Sequence, residues 1–274
     1  MTRSGSQKPD PATALAGLKD FQRRTVDYAF RQLYTDPDST HRFLVADEVG
    51  LGKTLVARGV IAKAVEHLWD KVERIDVVYV CSNADIARQN IDRLRPDKGH
   101  DFARATRATL LPIELKDMAS HRVNYVSMTP GTSLEPRGGT GIAAERALLF
   151  AMLRKHWGLH ENRATSVLRC GVEFDRFKSW VAWIGEQEID QDLQAMFLAD
   201  LDRRMKSDRA AGHTDLRARF GELCDALPRR DSNLDDTERV ARRSLVADLR
   251  AVLGRTCIQA LRPDLWTSPR FAGA

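Results

Sequence analysis

The sequence predicts an α/β protein with a doubly wound, mainly parallel sheet, joined to a C-terminal α-helical insertion. Short apolar runs alternate with helical patterns through the first half of the chain, as they do in doubly wound sheets. A glycine-containing turn follows one of these runs and leads into a helical pattern at residues 44–60. After residue 142 the chain becomes rich in Leu, Ala, Arg and Glu, which favour helices.

The elements of the first half follow in order from these patterns. Apolar residues recur at helical spacing over residues 18–34, from Leu18 to Leu33, which predicts an amphipathic helix. Runs of apolar and β-branched residues predict strands at 42–46, 75–81, 107–111 and 123–128. Helices are expected after the first two, the second of them beginning at Ser82 or Asn83 as N-cap.

The chain is therefore expected to have four parts. These are a flexible N-terminal tail at 1–17, an α/β domain at 18–134, the helical insertion at 135–263 and a final tail at 264–274. Arginines in the insertion, among them Arg203, Arg204, Arg229 and Arg230, are interspersed with Asp and Glu. That mixture favours a solvated face over a DNA-binding one.

Composition limits the cellular compartments and the partners that are expected for the protein. No run of about 18 apolar residues and no secretory signal occurs, so neither a membrane nor export is implied. Four widely spaced cysteines, with no Cys-x-x-Cys pair, favour reduced thiols in the cytoplasm over a zinc site. The 43 Lys and Arg against 38 Asp and Glu give a net charge of +5, which is compatible with a nucleic-acid partner but does not require one.

The segment ADEVGLGKT, residues 46–54, predicts a phosphate-binding loop. Gly52, Lys53 and Thr54 match the end of the phosphate-loop pattern, although Asp47 stands where the strict pattern has its first Gly. Gly50 and Gly52 let backbone N–H groups approach phosphate oxygens. Lys53 would contact the β and γ phosphates, and the Thr54 hydroxyl would bind Mg²⁺. The alternative is a glycine turn that only connects a strand to a helix.

The same segment resembles motif I of superfamily 2 helicases and translocases, which are related to DEAD/DEAH proteins, and especially the Swi/Snf-like branch. This resemblance implies a RecA-like ATP-binding motor domain, ATP and Mg²⁺ as cofactors, and a nucleic-acid partner, DNA rather than RNA. It also implies that Gln22, upstream of the loop, binds the adenine edge; the alternative is an ordinary solvated glutamine. The implied nucleotide-binding residues are Gln22, Asp47, Glu48, Val49, Gly50, Leu51, Gly52, Lys53 and Thr54.

Two later segments resemble the nucleic-acid motifs of the same superfamily. The segment beginning at Ser82 and Asn83 is similar to motif Ia, and Thr129-Pro-Gly131-Thr132 is similar to motif Ib, in which DEAD-box proteins have Arg at the position of Thr132. By this resemblance Ser82, Asn83, Thr129, Gly131 and Thr132 contact phosphates through hydroxyl and backbone N–H groups. Helix capping and a tight turn are the alternative explanation of both segments.

The acidic strand end that such ATPases use to hold Mg²⁺ is not evident in the sequence. The only Asp-Glu pair is Asp47-Glu48 inside the loop, and Glu186 after an apolar run is a poor substitute. The segment RPDL at 262–265 resembles the beginning of the expected strand and then passes into a Pro- and Gly-containing tail. The hypothesis is that the chain is truncated or frameshifted before this strand and before a second motor domain.

The sequence thus favours the ATP-binding part of a helicase or translocase that binds ATP but hydrolyses little of it alone. One alternative is a nucleotide-dependent binding or regulatory module that does no chemical work. Another is a different phosphate-loop NTPase. A second motor domain or other proteins are possible partners.

Overall fold

In the computed structural model, described residues are 8–46, 48, 50–95, 103–105, 107–129, 139–226 and 235–261. The chain divides into two compact units. The first unit comprises Met1–Thr106 and Asp117–Ser127, and the second comprises Arg107–Lys116 and Met128–Ala274.

The first unit begins with helices that pack on one another. Its helices are α1 (Pro11–Ala16), α2 (Asp20–Phe30), α3 (Lys53–Leu68) and α4 (Ala84–Leu94), and α2 continues into a π-helical turn at Arg31–Thr35. Close packing of α2 on α3 depends on Gly59, because a Cβ there would lie 2.7 Å from Val26 Cγ2. Leu18, Val26 and Val56 form the buried core at this contact.

Among the described residues the sheet has three short strands: β1 (Ile75–Val80), β2 (Ala103–Ala105) and β3 (Val123–Met128). Their order is β1-β3-β2, and β2 pairs parallel to β3 with Ala103 opposite Asn124. Asn124 Nδ2 donates a hydrogen bond of 2.9 Å to Asp76 Oδ1, so a side-chain bond links β3 to β1 as well. These strands confirm the predictions for residues 75–81 and 123–128.

Helices make up most of the described residues of the second unit. They are α6 (Ala143–Trp157), α7 (Glu161–Leu168), α8 (Phe174–Gly185), α9 (Gln191–Ala210), α10 (Leu216–Ala226) and α11 (Asp236–Leu261); α5 (Leu111–Ser120) runs from this unit into the first. The side chains of Phe150, Phe177, Phe197 and Phe220 are fully buried and form much of its core. The helices expected between Ile142 and about Ala260 are therefore present.

The predicted fold class is wrong. Helices account for 68% of the described residues, so the protein is mostly helical and is not a RecA-like doubly wound α/β fold. Residues 42–46 are an irregular connection instead of a strand. Residues 108–110 form a 3-10 turn and Leu111 begins α5, because Pro112 is readily accommodated in the first turn of a helix.

Two further regions bear on the expected organisation. Helix α1 lies inside the segment expected to be a flexible tail. Asp10 Oδ1 accepts a hydrogen bond from the Ala12 N–H and so caps the helix, and Pro11 stands at its first position. The final tail, with its RPDL segment, lies outside the described residues. Among the described residues, no helix combines the length and the apolar composition needed to cross a bilayer.

Candidate nucleotide-binding site

Two glycines set the backbone that leads into α3. Gly50 has a φ of 93° and Gly52 a φ of 85°, a region that residues with a Cβ rarely adopt. Gly52 is the N-cap residue of α3, and no side chain in the described part of the chain caps this helix end. The first turn of a 16-residue helix therefore presents backbone N–H groups at its positive end, which is a favourable place for an anion.

Lys53 and Thr54 occupy the first two positions of α3. The Lys53 side chain is exposed, and its Nζ donates a hydrogen bond of 2.9 Å to the carbonyl of Glu48. This contact holds the ammonium group over the turn that precedes the helix. Thr54 is half-buried in the first turn. The cation, the hydroxyl and the helix N-terminus thus belong to one short segment.

Gln22 lies against this segment, although it is 29 residues away from Leu51 in sequence. Its side chain is buried; Oε1 accepts a hydrogen bond of 3.0 Å from the Lys19 N–H, and Nε2 donates one of 2.9 Å to the Leu51 carbonyl. A Cβ on Gly52 would lie 2.5 Å from Gln22 Nε2. The amide therefore fixes the turn relative to α2. Its expected role in binding adenine stays a prediction.

The structure gives fewer contacts for the other predicted nucleotide-binding residues. The Leu51 side chain is exposed, and Glu48 contributes its backbone carbonyl to the contact with Lys53. Asp47 and Val49 lie outside the described residues. The segment that the structure does describe around the predicted phosphate loop is Gly50–Thr54 with Glu48 and Gln22.

The predicted nucleic-acid residues fall in different settings. Asn83 is the N-cap of α4, and its Oδ1 accepts hydrogen bonds from the N–H groups of Asp85 and Ile86. Ser82 beside it is exposed, whereas Thr129 after β3 is buried. Gly131 and Thr132 lie outside the described residues. Helix capping thus accounts for the side chain of Asn83, and phosphate contact by these residues stays a prediction.

Neither long strand is followed directly by a carboxylate. Cys81 follows β1 and Thr129 follows β3. Asp76 within β1 is already engaged, by an ion pair of 2.9 Å with Arg74 and by the Asn124 amide. Glu186 is exposed at the C-terminal end of α8, so it does not occupy the end of a buried strand. In the described segments, no group of three His, Cys, Asp or Glu side chains could hold a metal ion.

The second unit contains a buried carboxylate, Glu145, that the sequence patterns did not predict. Glu145 is fully buried; it accepts hydrogen bonds from Thr109 Oγ1 and the Ile142 N–H, and it pairs with Arg107 and Arg250. Arg250 also donates to the Gly139 carbonyl at 2.8 Å. This network ties α6 and α11 to the segment before α6. A Glu three residues after Ile142, the N-cap residue of α6, is its only signal in the sequence.

Comparison of the chain with protein-family models, with curated proteins and with solved structures gives no match. Function is therefore inferred from the residues of the chain and their geometry.

Proposed function

We propose that this protein binds ATP with Mg²⁺ through Gly50–Thr54 and is the ATP-binding part of an ATP-dependent helicase or translocase that acts on nucleic acid, DNA rather than RNA. One observation carries the nucleotide-binding proposal: two glycines with positive φ lead directly into Lys53 and Thr54 at the N-terminus of α3. The resemblance of residues 46–54 to motif I supports the assignment to helicases or translocases.

Each group would have a separate task. Backbone N–H groups of the turn and of the first turn of α3 would bind phosphate oxygens, where the helix dipole favours negative charge. Lys53 would exchange the Glu48 carbonyl for the β and γ phosphates, because an anionic acceptor forms the stronger hydrogen bond. The Thr54 hydroxyl would hold Mg²⁺, which neutralises charge on the phosphates. Gln22 would keep the turn in place through Leu51.

Hydrolysis by this chain alone is expected to be slow. In known phosphate-loop ATPases an acidic residue helps to hold Mg²⁺, and the residues after β1 and β3 are Cys81 and Thr129. This observation also favours a second candidate, a nucleotide-dependent binding or regulatory module without turnover. Because both candidates bind ATP with little turnover by this chain, added DNA has to separate them: slow hydrolysis that DNA accelerates would favour the motor, whereas hydrolysis that is absent with and without DNA would favour the module.

Calorimetry with Mg²⁺-ATP tests the binding step. Lys53→Ala should weaken ATP affinity by about 10- to 100-fold, since a hydrogen bond to a charged group contributes ~1.5–3 kcal/mol. Lys63→Ala is the matched control, because Lys63 is on the same helix but pairs with Asp27. Equal ATP affinity in the wild type and the Lys53 variant would contradict the proposal.

A cytoplasmic location is part of the same proposal. It is supported by the four cysteines, which form no disulfide.

A further inference from the structure

One face of α2 carries exposed aromatic and arginine side chains in alternation. Phe21, Arg24, Tyr28 and Arg31 follow one another at spacings of three or four residues, and all four are exposed. Such spacing places side chains along one side of a helix. The buried residues of α2, Gln22, Val26 and Ala29, lie on the other side. This face is therefore turned to solvent while the opposite face packs in the first unit.

The two aromatic rings are exposed but not isolated. Phe21 is 45% exposed and Tyr28 is 50% exposed. The Tyr28 ring meets Phe43 edge-on with 5.7 Å between ring centroids, and the Arg31 guanidinium lies 5.3 Å from the Tyr28 centroid. These contacts restrict the Tyr28 ring and leave half of its surface open. A ring held in this way is a suitable platform for stacking.

The arginines of this surface lack acidic partners in the described part of the chain. Arg24 on α2 and Arg31 in the π-helical turn that continues it are exposed and form no ion pair, and neither does Arg42, which precedes Phe43. Of the two acidic residues on α2, Asp27 pairs with Lys63, and Asp20 stands in the first turn near the positive end of the helix dipole. Positive charge therefore predominates on this face.

We propose that this surface, formed by Phe21, Arg24, Tyr28, Arg31, Arg42 and Phe43, binds single-stranded DNA. Bases would stack on Phe21 and Tyr28, and the arginines would contact the phosphates. Stacking platforms combined with a positive surface are the usual basis of sequence-tolerant binding to single strands. A duplex hides the faces of its bases, so exposed rings favour a single strand.

The spacing of the two rings agrees with a splayed strand. Seven residues of helix separate Phe21 from Tyr28, or roughly 10 Å along the axis. Stacked bases of one strand in a duplex are only ~3.4 Å apart, so two neighbouring stacked bases cannot use both rings. An acidic protein segment would use the arginines without needing the rings. The rings therefore distinguish the proposed partner from an acidic protein.

This inference deepens the nucleic-acid part of the proposed function, on which it rests, but does not require ATP. Its test is fluorescence anisotropy with labelled oligo-dT of about 20 nucleotides, longer than typical single-strand sites. The measurements are made without nucleotide, so failure of ATP binding by the wild-type chain would leave the result interpretable. Circular dichroism checks that every variant is folded.

Tyr28→Ala should weaken oligo-dT binding about tenfold, as loss of a stacking platform does. Arg24→Gln with Arg31→Gln should make the slope of log affinity against log salt shallower by about 1.4, because each phosphate contact contributes ~0.7 on a single strand. The matched control is Arg203→Gln with Arg204→Gln, which removes the same charge from α9, where both arginines pair with Asp. The control should bind like the wild type.

Three results would overturn the proposal. The first is equal loss of binding in the control and in the α2 arginine variant, which would indicate a non-specific charge effect. The second is equal or tighter binding of a duplex of the same length. The third is unchanged oligo-dT affinity in Tyr28→Ala, with poly-glutamate competing as well as unlabelled oligo-dT. That third result would point to an acidic protein partner.

Discussion

The exposed arginines of the two units differ in the side chains that they contact. In the second unit several of them pair with nearby aspartates: Arg203 with Asp200, Arg204 with Asp208, Arg209 with Asp215 and Arg239 with Asp236. Exposed Arg176, Arg243 and Arg255 form no ion pair among the described residues. In the first unit, Arg24 on α2 and Arg31 in the π-helical turn after it form no ion pair among the described residues, and the Arg31 guanidinium lies 5.3 Å from the centroid of the Tyr28 ring. We therefore expect unpaired arginines beside aromatic rings, and not arginine content alone, to mark a nucleic-acid surface.

The difference also extends below the surface. Arg146, Arg242 and Arg250 are buried in the second unit, where Glu145 is the buried carboxylate nearest to this group. Burial lowers the pKa of Arg146, with nearby Arg242 and Arg250 adding repulsion and Cys170 and Glu145 opposing it. One buried carboxylate thus stands against three buried arginines in this unit. The arginines of the α2 face form no ion pair among the described residues, and the proposal assigns them to phosphate.

The largest expected effect comes from removing the buried partner of these arginines. Glu145→Ala should lower the free energy of unfolding by about 3–5 kcal/mol, because breaking a buried ion pair leaves charge uncompensated. Urea denaturation measures the change. Glu188→Ala is the control, since its pair with Lys116 is exposed and should contribute less than ~1 kcal/mol. Similar losses in both variants would mean that the second unit does not depend on its buried carboxylate.

The next effect concerns the contact between Gly52 and Gln22 in the first unit. Gly52→Ala should destabilise by more than Gly50→Ala, because both have positive φ but only Gly52 has a neighbour within 4 Å of its Cβ position. The shared strain is about 1–2 kcal/mol. Combining Gly52→Ala with Gln22→Ala should recover part of the excess, and thermal unfolding of Gly50→Ala, Gly52→Ala, Gln22→Ala and the double variant measures it. Equal effects of the two glycine substitutions would show that Gln22 does not constrain the turn.

A smaller effect is expected at the start of α10. The pKa of Asp215 is lowered by hydrogen bonds from the Ala218 N–H, and further by Arg209. A depressed folded-state pKa means that its stabilisation is complete above the unfolded pKa of about 3.9 and is lost as pH falls through the folded value. Asp215→Ala should therefore cost ~1 kcal/mol at neutral pH, as loss of an N-cap does. The cost should shrink in acid below that range; a pH-independent cost would contradict this account.

Local patterns predicted the parts of the molecule that depend on local chemistry. The β-branched run at 75–81 forms β1, and Lys53 and Thr54 begin α3 as expected. The other parts depend on packing between residues far apart in sequence. Residues 42–46 are as apolar as a strand, but they form no strand in the structure. The contact of Gln22 with Leu51 joins α2 to the turn, and position before the loop was its only signal. The α2 face was missed because exposure and pairing are not visible in the sequence.

The smallest effect compares single arginines of the two units. Arg204→Gln removes an i, i+4 pair with Asp208 and should cost about 0.3–0.5 kcal/mol, less at high salt. Arg24→Gln removes no ion pair, so it should leave the free energy of unfolding unchanged within ~0.5 kcal/mol. The same two variants should rank in the opposite order for oligo-dT binding, where Arg24→Gln weakens affinity and Arg204→Gln does not. Denaturation and anisotropy measurements on both variants would show this reversal of rank. If Arg204→Gln instead reduced DNA affinity as much as Arg24→Gln, ion pairing would not separate the two surfaces, because an arginine held by an aspartate would remain available to phosphate.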